Sequence, residues 1–130
     1  GEEGQGPGQF ALPHSLWVDD ERERVFVMDR ENNRIQIFDF EGVYMDVWKD
    51  VEMPMDMYID AGGVVYVSEA GSRISIFSLD GELLSRWGED GPAPGHFEDA
   101  PHGIWVDSRG DLYVAEVPVI HNRIQKFARV

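Results

Sequence analysis

The stretch GQFALPHSLWVDDE, residues 8–21, returns almost intact as GHFEDAPHGIWVDSR, residues 95–109. A more distant copy, PMDMYID, lies between them at residues 54–60. Two further short apolar runs follow each copy at matching distances, and the first two units add a fourth run, VYMDVW at 43–48 and LLSRW at 83–87. Self-similarity with a period of about 40–50 residues is typical of repeat architectures. The chain is therefore predicted to consist of three repeated units.

The runs are predicted to be β-strands, four to a unit. They are short, rich in β-branched and aromatic residues, and bounded by turn formers such as Glu41-Gly42 and Asp80-Gly81. The second run of each unit is apolar at successive positions, which predicts burial on both faces. No segment sustains a helical apolar period. Four-stranded units covered on both faces are typical of β-propeller blades, so the fold class is predicted to be all-β.

The units predict a single partial propeller domain over residues 1–130. Blade 1 is expected at about 10–50, blade 2 at about 51–88 and blade 3 at about 97–130, with glycine-rich connectors at 1–9 and 88–96. The third unit lacks a fourth run, so its outer strand is expected to be missing. Three blades cannot close a ring, which predicts half of a six-bladed propeller. We expect either a piece of a longer propeller or a half that self-associates, as a dimer closing the ring.

Charge and composition limit the partners. The chain has 25 acidic and 11 basic residues and a formal net charge of −14. Such a surface repels phosphate backbones, and no basic cluster offers a local exception, so nucleic acid is not an expected partner. No run approaches the roughly 18 apolar residues of a spanning helix, so no membrane partner is expected. The absence of cysteine excludes thiolate metal ligands.

The phrase FALPHSL at residues 10–16, followed by DRENNRIQIF at 29–38, resembles the NHL-repeat family of β-propellers. Within that family the chain is most similar to the propeller of the peptidyl-α-hydroxyglycine α-amidating lyases and their bacterial relatives, through PHSL, DREN and the later PHGI at 101–104. The resemblance implies a six-bladed ring whose channel holds zinc through three histidines. It also implies cleavage of the C–N bond of a peptide ending in α-hydroxyglycine, giving a peptide amide and glyoxylate.

The resemblance implies roles for three residues. His14 and His102 match two zinc-ligand positions, and Arg30 matches the active-site arginine. Neutral imidazoles suit zinc, and an arginine can clamp a carboxylate or stabilise a developing oxyanion. The family's third ligand histidine and its catalytic tyrosine have no counterpart here, so poor activity is expected of this chain alone. Gly103 stands where the family has an aspartate, which argues against its calcium site.

Two functional interpretations stay open. One is a metal-dependent lyase-like enzyme whose channel uses His14, His102 and Arg30. The other is a non-catalytic scaffold that binds a peptide or protein partner, in which the two histidines line the channel without metal. A lactonase-type propeller is a weaker third interpretation, because its acidic metal cluster cannot be assembled from these repeats.

Several recurring polar and aromatic residues are predicted to be structural. The arginines that open the third run are expected to brace hairpins against nearby carbonyls or acids: Arg34, Arg73 and Arg123. The aspartates that close the first run are expected to cap turns: Asp19, Asp60 and Asp107. Three aromatic residues are expected to pack between blades: Trp17, Tyr58 and Trp105. His96 and His121 lie in connector or turn segments and are expected in solvent.

Overall fold

The computed structural model of the chain describes residues 1–98, 100–117 and 122–129. Within them, strands form three antiparallel sheets. The first sheet contains β1 (Pro13–Asp19), β2 (Arg24–Asp29), β3 (Arg34–Asp39) and β4 (Tyr44–Trp48). The second contains β5 (Pro54–Ile59), β6 (Val65–Glu69), β7 (Arg73–Phe77) and β8 (Leu83–Trp87). The third contains β9 (Pro101–Val106), β10 (Leu112–Glu116) and β11 (Arg123–Phe127).

Each sheet is a meander in which neighbouring strands follow one another in sequence, as in a propeller blade. The first strands of successive sheets contact each other, β1 with β5 and β5 with β9. The fourth strands, β4 and β8, are the most exposed. This arrangement confirms the predicted all-β fold, with two four-stranded blades and a third blade of three strands in the described residues. The described residues contain no helix that is long and apolar enough to cross a membrane.

Two apolar cores lie between the blades. The core between blades 1 and 2 includes Phe26, Met28, Ile35, Met57 and Val67, and the core between blades 2 and 3 includes Ile74, Phe97, Ile104, Leu112 and Val114. Rings of the first strands also meet across both interfaces, with centroids 5.1 Å apart for Trp17–Tyr58 and 4.8 Å for Tyr58–Trp105. The interblade role predicted for these three aromatic residues is confirmed.

The turns after the first strands depend on aspartate side chains. Asp60 Oδ1 accepts hydrogen bonds from the N–H groups of Gly62 and Val64, both at 2.9 Å. Asp107 does the same for its own turn. The capping prediction is thus confirmed for these two residues, whereas the side chain of Asp19 bonds to a nearby arginine.

A buried acid–arginine pair fixes the first glycine-rich connector. Asp29 accepts a hydrogen bond from Arg34 Nε at 2.6 Å, and the same guanidinium donates to the carbonyls of Gln5, Gly6 and Gln9. Blade 3 repeats the arrangement with Glu116 and Arg123, which holds the carbonyls of Pro92 and His96. In blade 2 the equivalent pair is Glu69 and Arg73. The bracing role predicted for the three arginines is confirmed.

Candidate functional site

The two histidines singled out in the sequence lie side by side in the structure. Each is the second residue of the first strand of its blade, His14 on β1 and His102 on β9. Their ring centroids are 4.6 Å apart, and the ring planes make an angle of 69°. Both residues are half-buried. Two side chains from the outer two of three blades therefore meet across the start of β5, the first strand of the blade between them.

The ring of His14 has a defined orientation. Its Nδ1 lies 2.8 Å from the backbone carbonyl oxygen of Met55 on β5. Because a carbonyl oxygen only accepts hydrogen bonds, Nδ1 carries the proton and donates it. In the neutral ring, Nε2 then keeps its lone pair. Metal-binding histidines are commonly held by a hydrogen bond of this kind through their other ring nitrogen.

His102 is biased towards its neutral form. Burial lowers its pKa below the ordinary value, the neighbouring His14 lowers the pKa further, Asp56 opposes the shift, and the charge of Arg30 adds to the lowering. A neutral imidazole retains the lone pair that a metal ion or a proton requires. The carbonyl oxygen of His102 accepts a hydrogen bond from Ser68 Oγ at 3.0 Å, which ties this end of β9 to blade 2.

Arg30 approaches the pair from a short 3₁₀ helix, Arg30–Asn32, which directly follows β2. The backbone N–H of Glu31 bonds to the carbonyl of Ala11 at 3.1 Å, which holds the helix against the segment before β1. The guanidinium Nη1 lies 3.4 Å from the carboxylate of Glu31. Arg30 Nε is buried without a hydrogen-bond partner among the described residues. Such a donor costs about 1–3 kcal/mol unless a partner reaches it.

Asp56 is part of this site, although the sequence did not single it out. Its carboxylate accepts hydrogen bonds from Ser15 Oγ at 2.8 Å and from the backbone N–H of Ile104 at 3.3 Å. The signal available in the sequence was a charged residue in β5 where the equivalent positions of the other repeats hold Ser15 and Gly103. His96, expected in solvent, is half-buried in its connector, and His121 lies outside the described residues.

The histidine pair meets two requirements of a zinc site, imidazole ligands and a suitable separation of the ring centres. Two imidazoles bound to one zinc at tetrahedral angles, with Zn–N distances of about 2.0–2.1 Å, have ring centres roughly 5 Å apart, close to the 4.6 Å between these rings. A catalytic zinc usually has three protein ligands. In the part of the chain that the structure describes, no group of three or more His, Cys, Asp or Glu side chains could hold a metal ion. Metal binding by His14 and His102 stays a prediction.

Comparisons with known proteins connect the chain to propellers. No protein-family model matches the sequence. The chain is 31% identical to "Peptidyl-glycine alpha-amidating monooxygenase A" of Xenopus laevis over 135 residues, which cover 94% of the chain and 14% of that protein. It is 45% identical to "NHL repeat-containing protein 3" of Mus musculus over 145 residues, which cover 98% of the chain and 38% of that protein. The chain thus spans only a minor part of either relative.

The fold itself has solved counterparts. Hydrazine synthase of Kuenenia stuttgartiensis superposes with a TM-score of 0.72 at 16% sequence identity, covering 96% of the chain and 36% of that protein's chain. Since so low an identity speaks only for the fold, this likeness supports the propeller architecture and says nothing about chemistry.

Proposed function

The chain belongs to the NHL-repeat family of β-propellers, and from this membership we propose that His14, His102 and Arg30 form part of a metal-dependent lyase site of the peptidyl-α-hydroxyglycine α-amidating type. The observation that carries the proposal is the contact between the two imidazoles, whose ring centroids lie 4.6 Å apart although they belong to blades 1 and 3. The similarity to the Xenopus laevis enzyme over 94% of the chain supports it.

In the proposed site, the ring nitrogens of His14 and His102 would hold a zinc ion together with a ligand from outside the described residues. Zinc acts as a Lewis acid that polarises a substrate oxygen. His14 contributes Nε2, since Nδ1 is occupied by the carbonyl of Met55. The lowered pKa of His102 keeps its ring neutral, and therefore able to bind a cation, at a lower pH than an ordinary histidine.

Arg30 would receive the carboxylate at the end of the substrate. An α-hydroxyglycine peptide ends in a carboxylate, and a guanidinium is the side chain best shaped to bind one. The side chain of Arg30 is 28% exposed, which leaves part of it open to a ligand. The reaction needs no added water: the C–N bond breaks, the hydroxyl oxygen becomes the aldehyde oxygen of glyoxylate, and its proton is balanced by the proton gained at the amide nitrogen.

The proposal is tested by measuring glyoxylate released from α-hydroxyhippurate by the zinc-loaded chain. We expect Arg30→Lys to lower kcat/KM by at least about 10-fold, because a single ammonium cannot replace the planar guanidinium at a carboxylate. Arg109→Lys is the matched control, since Arg109 lies exposed on a turn after β9. Glyoxylate release no faster than with free zinc, or equal losses in both variants, would contradict the proposal.

A second candidate function is a scaffold for a peptide or protein partner. A cavity of about 390 Å³ lies at the opposite end of β5 and β9 from the histidines. Its lining includes the rings of Tyr58 and Trp105 and charges of both signs, on Asp60, Asp107 and Arg129. Aromatic surfaces with nearby charges suit peptide segments. Binding of α-hydroxyhippurate that resists both EDTA and His14→Ala would favour this candidate over the lyase.

We also propose that two copies of the chain associate through their open blade faces to close a six-bladed ring. Ile35 and Ile74 are fully buried beneath the following blade, whereas Ile124, the equivalent residue of blade 3, is 75% exposed. Leu16 on blade 1 is 60% exposed, although its equivalents in blades 2 and 3 are buried. The open face of blade 3 thus exposes an apolar residue that blades 1 and 2 bury against the following blade. The open face of blade 1 exposes an apolar residue whose equivalents are buried against the preceding blade.

A further inference from the structure

The strands that carry the two histidines, β1 and β9, belong to different sheets, and both contact the middle blade. β1, β5 and β9 are each an edge strand of their own sheet, so alternate N–H and C=O groups have no partner within the sheet. Some of these groups bond to side chains of the neighbouring blade. The Met55 carbonyl accepts from His14 Nδ1, and the His102 carbonyl accepts from Ser68 Oγ. Contacts to blade 2 therefore orient one histidine ring and tie the backbone at the other histidine.

Asp56, on the middle blade, forms hydrogen bonds with both outer blades. Its Oδ1 accepts a hydrogen bond from Ser15 Oγ at 2.8 Å, next to His14 on β1. Its Oδ2 accepts from the backbone N–H of Ile104 at 3.3 Å, two residues beyond His102 on β9. One carboxylate thus bridges the residue after one histidine and a residue near the other.

The equivalent positions of the three repeats are complementary around this carboxylate. Blade 1 supplies a hydroxyl donor at Ser15, blade 2 the acceptor at Asp56, and blade 3 a backbone donor directly after Gly103. A second carboxylate at either neighbouring position would repel the first. The different residues at this one position of the three repeats therefore produce a three-blade junction.

We propose that Asp56 is the positioning residue of the His14–His102 pair: by joining β1, β5 and β9 it fixes the separation of the two imidazoles. The inference deepens the proposed metal site and concerns the same residues. Its first readout, however, is the geometry of the metal-free chain and does not depend on whether zinc binds or glyoxylate is formed.

The first test is an NMR measurement of the cross-relaxation peak between the ring protons of His14 and His102 in the metal-free chain. Asp56→Ala removes both bridging hydrogen bonds, so we expect this peak to be lost while the rest of the spectrum remains dispersed. Asp46→Asn is the control, because Asp46 lies exposed on β4 and its side chain bonds to its neighbour Val47. That variant should keep the peak at full intensity.

The second test uses Co²⁺ as a probe of the same pair. Residues that orient metal ligands typically contribute about 10–100-fold in affinity, and a loss of that size is expected for Asp56→Ala by titration of the Co²⁺ absorption bands. Asp56→Asn, which keeps one acceptor oxygen, should lose less. If Asp56→Ala does not fold, Asp56→Asn and Ser15→Ala replace it, and each should weaken both the cross-peak and Co²⁺ binding.

An unchanged ring–ring cross-peak in a folded Asp56 variant overturns the inference. Failure of the proposed function would look different: the native chain would bind no Co²⁺, yet the cross-peak would still respond to Asp56→Ala. The two proposals can therefore fail separately.

Discussion

At the scale of single residues, Asp107 shows how one turn holds a carboxylate in its charged form. Burial raises its pKa, but hydrogen bonds from the N–H groups of Asp111 and Arg109, the Arg109 guanidinium and the Tyr113 hydroxyl outweigh that effect and hold the pKa at about 2. Because this pKa lies below that of the unfolded chain, the ionised group stabilises the fold above about pH 4. The stabilisation is lost as the pH falls through about 2.

Asp107→Asn should therefore flatten the acid dependence of stability. The unfolding temperature of the native chain is expected to fall between about pH 4 and pH 2, and to fall less steeply in the variant, which has no proton to gain at this position. Asp20→Asn, at an exposed site with no such network among the described residues, should follow the native curve. Parallel curves for the native chain and Asp107→Asn, from calorimetry across this range, would contradict the assignment.

At the scale of elements, the acid–arginine pairs connect strands to the glycine-rich connectors. Asp29 is completely buried, and Arg34 reaches three connector carbonyls as well as this carboxylate. Arg34→Met would leave the buried charge unpaired, so we expect a loss of about 3–5 kcal/mol in the free energy of unfolding. Arg109→Met, which removes ion pairs from an exposed turn, should lose much less. Urea titration measures both, and equal losses would contradict a special role for the connector cluster.

At the scale of the whole molecule, the proposed ring closure concerns the open faces of blades 1 and 3. If two copies close the ring, light scattering on a sizing column should give the mass of two chains. Ile124→Asp places a charge on the open face of blade 3 and should shift the chain to a monomer, because a charge without a partner is costly to bury. Val43→Asp, at an exposed position of the outer hairpin, is the control. A monomeric native chain would overturn the proposed ring closure.

The repeats made much of the architecture predictable. Strand positions follow from short apolar runs between turn formers, which are local signals. The resemblance to the amidating lyases implied that His14 and His102 line one channel. The role of Asp56 was not predictable in this way, since it depends on distances between three strands from different blades. Likewise, the unpartnered Nε of Arg30 depends on the short helix after β2 and on packing that no local pattern encodes.

Zinc K-edge X-ray absorption of the zinc-loaded chain tests the metal site most directly. A zinc site formed by His14 and His102 requires a first shell that contains at least two imidazole nitrogens at about 2.0–2.1 Å. The imidazole contribution should decrease in His14→Ala and in His102→Ala and should be unchanged in His96→Ala. A first shell of oxygen alone, or one that neither substitution alters, would contradict it.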